Sequence, residues 1–130
     1  MEVLKRARTD YKIDDSRIYL MGHSMGAIGT WAIAAKSPSI WAALAPFSGL
    51  GNPASIEKFR HIPQIVVHGD ADPTVNVAGS RNMVEAMKKL GVDHVYVEVP
   101  GGNHVDVVVP NLSKVFDFFD AKRKATATTQ

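Results

Sequence analysis

The feature that most constrains this 130-residue chain is a serine set among small residues, where an apolar run meets a helical pattern. Residues 17–34 read RIYLMGHSMGAIGTWAIA. The Gly-x-Ser-x-Gly segment predicts a strand over 17–21, a tight turn at Ser24 and a helix over 25–36. Such a turn needs small neighbours, because the helix packs closely behind the strand. The residues that supply this space are Gly22, Gly26 and Gly29.

The rest of the chain alternates short apolar segments with helical patterns. The further predicted strands are 41–45, 64–68 and 94–99. The further predicted helices are 2–9, one that carries Met83, Met87 and Leu90 and stops at Gly91, and one after residue 111 with Leu112, Val115, Phe116 and Phe119 facing the core. This alternation predicts an α/β fold of about four mostly parallel strands covered by helices on both faces.

Composition indicates one soluble globular domain. With 45% hydrophobic and 22% charged residues, the chain can bury a core over residues 1–124, and we expect 125–130 to be a disordered tail. The net charge of +2 has no basic stripe, so we expect no nucleic-acid partner. No apolar run is long enough for a membrane span or a signal region, so we expect no membrane partner and, by default, a cytoplasmic protein.

Cysteine is absent, which excludes disulfides and thiolate metal sites. The five histidines include no His-Glu-x-x-His spacing. We therefore expect no metal and no cofactor. The histidines for which packing or hydrogen bonding is the simpler interpretation are His23, His61, His68 and His94.

Ser24 has two interpretations, a nucleophile or a turn residue. As a nucleophile it needs a base to take its proton and an acid to orient that base. The segment HGDADPTV follows a predicted strand and offers Asp70 and Asp72, while PGGNHVD follows the next strand and offers His104. Because the carboxyl ends of parallel strands meet at one edge, these side chains can converge on Ser24. The residues alone leave open which aspartate is the acid.

The segments GHSMGAIGTWAIA, IPQIVVHGDADPTV and PGGNHVD together resemble the α/β-hydrolase superfamily. Within it they look most like enzymes of the predicted-peptidase, polyhydroxybutyrate-depolymerase and feruloyl-esterase type, and the similarity covers residues 2–122. The order Ser, Asp, His along the chain matches that superfamily.

The resemblance implies a role for each of four residues. Ser24 falls on the nucleophile, Asp72 on the acid, and His104 on the base, while Met25 would contribute a backbone N–H to an oxyanion site. Asp70 is the second choice for the acid. The function implied is a serine hydrolase that cleaves carboxylic esters of short acyl chains through an acyl-enzyme. The alternatives are a weak or inactive hydrolase fragment that serves as an interaction module, and a peptidase or amidase.

The chain also departs from the superfamily pattern. It begins in the helix before the nucleophile strand and so resembles the C-terminal half of such an enzyme, without the segment that supplies the second oxyanion donor. The nucleophile strand would then have an unpaired edge, because it normally lies inside the sheet. We therefore expect the chain to form a homo-oligomer.

Overall fold

Within residues 1–125, four strands form a single, fully parallel sheet in the spatial order β1, β2, β3, β4. They are β1 (Tyr19–His23), β2 (Ala43–Phe47), β3 (Gln64–Gly69) and β4 (His94–Val99). The protein is described by a computed structural model over residues 1–125. The two central strands, β2 and β3, are buried along their whole length. This burial explains why both read as continuous apolar runs rather than as alternating patterns.

Residues 1–125 include four α-helices, three of which pack on the sheet. They are α1 (Glu2–Asp10), α2 (Met25–Lys36), α3 (Ala78–Leu90) and α4 (Leu112–Asp120), with 3-10 helices at Pro53–Phe59 and Val109–Asn111. Side chains of α2 and α3 pack on one face of the sheet, and those of α4 pack on the other. The expected α/β architecture is therefore confirmed. No helix within residues 1–125 has the length and apolar character to cross a bilayer.

The core has one cluster on each face of the sheet. The larger cluster includes Trp31, Leu44, Phe59, Val66, Met83 and Met87. The smaller cluster, beneath α4, includes Phe47, Ile65, Val67, Val107, Val115 and Phe119. Together they hold the sheet between α2 and α3 on one side and α4 on the other, and the parallel pairing brings the carboxyl ends of all four strands to one edge.

Two predicted strands, 17–21 and 41–45, lie two residues later than the sequence suggested. The two strands pair in parallel from Tyr19 opposite Ala43 to His23 opposite Phe47, so the displacement is shared. The pairing extends to the last residues of both strands. The N–H of Ser24, the residue after β1, still donates to the Phe47 carbonyl at 2.9 Å. The glycine before Ser24 is thus part of β1, and the turn is shorter than predicted.

The prediction that Phe116 faces the core was wrong. Its side chain is 51% exposed, while Phe118 packs against the cluster beneath α4. At about 100° per residue, Phe116 and Phe118 lie equally far, about 80°, to either side of a face centred on Val115 and Phe119. Helix periodicity therefore does not distinguish them, and the packing of α4 on the sheet decides which of the two is covered. The inward positions of Leu112, Val115 and Phe119 were correct. Of the predicted tail, residues 126–130 lie outside the described part of the chain.

Candidate active site

Ser24 is the single residue between β1 and α2. Its backbone has φ 60° and ψ −116°, a conformation that a non-glycine residue adopts only when surrounding contacts impose it. Those contacts are the bond from its N–H to the Phe47 carbonyl and the bonds that its own carbonyl accepts from Ala27 at 2.9 Å and Ile28 at 3.1 Å. The strained turn directs the Ser24 side chain away from both elements, at the carboxyl edge of the sheet.

The close contact that permits this turn involves Gly22. A Cβ atom at Gly22 would overlap the Gly26 carbonyl and lie 2.9 Å from Thr30 Oγ1. A Cβ at Gly26 or at Gly29 would meet nothing within 4 Å. The prediction that small residues make room for the turn is therefore confirmed at Gly22 and wrong at the other two glycines.

His104 lies between Ser24 and Asp72. Its Nε2 is 2.9 Å from Ser24 Oγ, and its Nδ1 is 2.8 Å from Asp72 Oδ2. An ionised carboxylate can only accept, so Nδ1 carries a hydrogen and donates it to Asp72. In the neutral ring Nε2 is then an acceptor for the Ser24 hydroxyl. The three groups form a continuous path along which a proton can move from Ser24 to the imidazole.

Asp72 is held on both of its carboxylate oxygens. Oδ1 accepts the backbone N–H groups of Thr74 at 2.8 Å and Val75 at 2.9 Å, and Oδ2 accepts from His104. The Asp72 side chain has no exposed surface. Burial by itself would raise the pKa of the carboxyl, but the hydrogen bonds from His104, Val75 and Thr74 outweigh it and hold the pKa below its ordinary value. Asp72 is therefore a carboxylate beside the imidazole.

Asp70 occupies a different place. Its Oδ1 accepts the Gly101 N–H at 2.7 Å, which ties the loop after β3 to the loop after β4. No hydrogen bond joins Asp70 to His104 within residues 1–125. Of the two aspartates that the sequence offered, the structure brings Asp72 to His104 and uses Asp70 to brace the loop that carries His104.

Met25 begins α2, so its N–H is among the first four of the helix and has no partner within it. It directly follows Ser24, at the positive end of the helix dipole. This is the position at which an oxyanion formed beside Ser24 would be stabilised. The Met25 side chain is 80% exposed, next to the serine hydroxyl in the chain.

Two histidines that the sequence assigned only to packing or hydrogen bonding contact this site. His23 Nε2 lies 2.6 Å from the His104 carbonyl, which ties the end of β1 to the loop after β4. His68 is fully buried and lies beside Asp72. The sequence signal for His23 is its position next to Ser24, and the signal for His68 is its position at the start of HGDADPTV. In the described part of the chain, His61 bonds to the Pro38 carbonyl and His94 to the Val92 carbonyl, which agrees with the hydrogen-bonding interpretation. Among residues 1–125, no group of three or more His, Cys, Asp or Glu side chains is placed to hold a metal ion.

A parallel sheet whose first turn presents a serine, followed by an aspartate and a histidine after successive strands, defines an α/β-hydrolase. The sequence comparison identifies the particular family. A family model described as phospholipase/carboxylesterase matches residues 1–122, and the chain belongs to that family.

Relatives and solved structures agree with this family. The chain is 30% identical over 102 residues to Cutinase 1 of Thermobifida cellulosilytica, a match that covers 77% of this chain and 37% of the cutinase. It superposes on a thermostable esterase with a TM-score of 0.88 and 27% identity, covering 95% of this chain and 35% of that one. Esterase PE8 gives a TM-score of 0.75 with 25% identity, over 92% and 56% of the two chains. The chain thus spans about a third of the length of the first two proteins.

Proposed function

We propose that the protein hydrolyses carboxylic esters through an acyl-enzyme on Ser24. The observation that carries this proposal is the continuous hydrogen-bonded path from Ser24 Oγ through His104 to the buried Asp72 carboxylate. A serine that served only in a turn would not need an imidazole at 2.9 Å from its hydroxyl. Membership of the phospholipase/carboxylesterase family supports the same chemistry.

The proposed reaction has two halves. Ser24 Oγ attacks the ester carbonyl carbon while His104 Nε2 takes the serine proton, and Asp72 stabilises the resulting imidazolium. The Met25 N–H donates to the tetrahedral oxyanion. As the C–O bond to the alcohol breaks, His104 returns its proton to the leaving oxygen and the acyl group stays on Ser24. Water then attacks the acyl-enzyme by the same steps, releasing the acid and restoring Ser24.

Esters of short acyl chains are the proposed substrates. The residues that directly follow Ser24 and His104 in the chain, Met25 and Val105, are apolar and largely exposed, which suits an aliphatic acyl group better than a charged one. The relatives named as esterases and cutinases agree with an ester bond. Amides are the weaker candidate, because an amine leaving group demands more acid catalysis and oxyanion stabilisation than an alcohol does.

The test combines a covalent probe with a turnover assay. A fluorophosphonate probe should add its mass to the peptide that contains Ser24, and His104→Ala should abolish that labelling. With p-nitrophenyl butyrate, wild type should give a burst of p-nitrophenol that Ser24→Ala lacks. Labelling at another serine, or equal labelling in His104→Ala, would refute the assignment of these residues. Absence of both labelling and burst would favour an inactive interaction module.

We propose further that the chain forms a homo-oligomer through β1. Within residues 1–125, β1 pairs with β2 on one side and with no strand on the other. Met21 on this strand is 38% exposed, and the neighbouring Leu20 lines an apolar groove of about 400 Å³ together with residues that include Leu4, Ile33 and Trp41. A second copy that paired with the open edge would satisfy its backbone groups and cover this surface.

Light scattering at micromolar concentration tests this assembly. Tyr19 is unsuitable for substitution, because its ring stacks on Phe119 at 4.6 Å and its hydroxyl donates to the Lys122 carbonyl. Met21→Lys should shift the assembly toward the monomer. Val95→Lys is the matched control, since Val95 is similarly exposed, at 43%, on the opposite edge strand β4. A wild-type monomer, or equal effects of both variants, would refute pairing through β1.

A further inference from the structure

A buried histidine lies directly behind Asp72. His68, on β3, has no exposed surface, and both of its ring nitrogens are engaged. Its Nε2 is 2.8 Å from the Val75 carbonyl and 3.4 Å from Asp72 Oδ2. Its Nδ1 is 2.7 Å from the hydroxyl of Ser80, in the first turn of α3. A polar chain therefore continues from the Asp72 carboxylate into the interior of the protein.

These contacts fix the hydrogen on the His68 ring. The Val75 carbonyl and the Asp72 carboxylate can only accept, so Nε2 carries a hydrogen whether the ring is neutral or protonated. Nε2 donates to the Val75 carbonyl and points toward Asp72 Oδ2. In the neutral ring, Nδ1 accepts from the Ser80 hydroxyl, which is free to rotate into place. The two ring nitrogens of His68 thus form hydrogen bonds, one with the loop after β3 and one with α3, the helix that follows that loop.

Val75 is held at both ends of its backbone. Its carbonyl accepts from His68, and its N–H donates to Asp72 Oδ1 at 2.9 Å. Asp72 Oδ2 in turn lies between two imidazoles, at 2.8 Å from His104 and 3.4 Å from His68. The orientation of the Asp72 carboxylate toward His104 therefore depends on the conformation of the loop after β3, which the hydrogen bond from His68 to Val75 holds in place.

We propose that His68 is a positioning residue that holds Asp72 toward His104 by anchoring Val75. This inference rests on the proposed function of the Ser24, His104 and Asp72 path. An apolar residue at this position would leave the Val75 carbonyl without a hydrogen-bond donor, which is unfavourable. A residue needed only for packing in β3 would not require a donor at Nε2.

Two substitutions separate positioning from packing. His68→Gln keeps an N–H donor at a similar distance from the backbone, whereas His68→Leu has comparable volume and no donor. We expect His68→Leu to lower kcat on p-nitrophenyl butyrate by about 10- to 100-fold, within the range for a carbonyl in the protein interior left without its donor. His68→Gln should stay within about fivefold of wild type on the same basis, since its amide donor is retained. KM should change little, because His68 does not contact the substrate.

Ser80→Ala is the control on the other side of the ring. It removes the partner of Nδ1 but leaves the Nε2 donor in place, so kcat should stay close to that of wild type. Circular dichroism and thermal melting of each variant establish that the fold is intact. Equal kcat values for folded His68→Leu and His68→Gln would overturn the proposal, because the donor would then be irrelevant.

Nuclear magnetic resonance of ¹⁵N-histidine-labelled protein gives a readout that does not require turnover. We expect the ring proton of His104 that faces Asp72 to resonate far downfield in wild type and in His68→Gln, and to move upfield in His68→Leu. If the wild-type protein lacked esterase activity but showed this pattern, the proposed function would fail while the positioning role stood.

A measurement on the His68 ring itself keeps the proposal falsifiable should His68→Leu not fold. Wild-type His68 should carry its hydrogen on Nε2, and Asp72→Asn should shift that proton. A neutral ring with its hydrogen on Nδ1 would overturn the proposal, as would a downfield His104 proton unchanged in folded His68→Leu.

Discussion

Replacing Gly22 by alanine tests whether the contact between β1 and α2 sets the position of Ser24. The added Cβ would overlap the Gly26 carbonyl and lie 2.9 Å from Thr30 Oγ1, whereas ordinary contacts begin near 3.4 Å. The nearest obstacle is helix backbone, which cannot rotate away as a side chain can. Relief therefore requires β1 and α2 to separate by about 1 Å, and a displacement of that size in an active site can cost about 100-fold in rate.

The expected cost in stability is about 1–3 kcal/mol, the range for inserting a methyl group into a packed site. Gly29→Ala is the matched control, because it adds the same methyl group to α2, the helix that Gly22 packs against, at a position where nothing lies within 4 Å. Alanine also has the higher helix propensity, so Gly29→Ala should raise the unfolding free energy by up to about 1 kcal/mol. Its turnover should equal that of wild type.

Urea unfolding followed by circular dichroism measures both stabilities, and the rate of fluorophosphonate labelling of Ser24 measures the position of the hydroxyl without a substrate. We expect Gly22→Ala to be less stable and to label much more slowly than wild type. If it were as stable and as reactive as Gly29→Ala, the close approach of β1 to α2 would not control the turn, and the argument from packing would be refuted.

Three further predictions concern the acid and the core. Asp72→Asn should lower turnover by about 10⁴-fold, since an asparagine favours the wrong tautomer of the histidine, while Asp70→Asn should have a much smaller effect in the same assay. Because the pKa of Asp72 is lowered on folding, its ionised form stabilises the protein above about pH 4. The excess stability of wild type over Asp72→Asn should shrink as the pH falls through the folded pKa, in thermal melts at a series of pH values. Gln64→Met should cost about 1 kcal/mol in urea unfolding, because the buried Trp31 indole N–H loses its partner at 2.8 Å while the unpaired Gln64 Nε2 is removed.

The element pattern of this chain was readable from its sequence where residues that end helices and strands bound a segment, as Ser37-Pro38 and Pro100-Gly101 do. The helix over 25–36 and the strand over 94–99 were predicted with the observed bounds. The first two strands were placed two residues early because apolar character marks burial, while the end of a strand depends on pairing. Only the neighbouring strand shows that β1 continues to His23.

The candidate site was less readable, for a physical reason. Sequence order and strand ends pointed to Ser24, Asp72 and His104, because chemistry restricts the residue types and the fold restricts their order. The roles of His23 and His68 depend on contacts with residues 81 and 7 positions away. Their places next to Ser24 and within HGDADPTV suggest that they lie near the site but do not identify these partners. Asp70 and Asp72 differ only in which backbone N–H groups and ring they meet, so spacing alone could not assign them.

The loops that carry Asp72 and His104 are joined to each other by hydrogen bonds that do not involve Ser24. The Asp70 N–H donates to the Val99 carbonyl at 3.1 Å, the Ala71 N–H donates to the Gly102 carbonyl at 3.0 Å, and Asp70 accepts from Gly101. The acid and the base therefore move as one unit, whose link to β1 is the bond from His23 to the His104 carbonyl. A substitution that weakens the link between this unit and β1 should change the distance between His104 and Ser24 before it separates His104 from Asp72. Loss of nucleophilicity at Ser24 should thus precede loss of the downfield His104 proton in variants at His23.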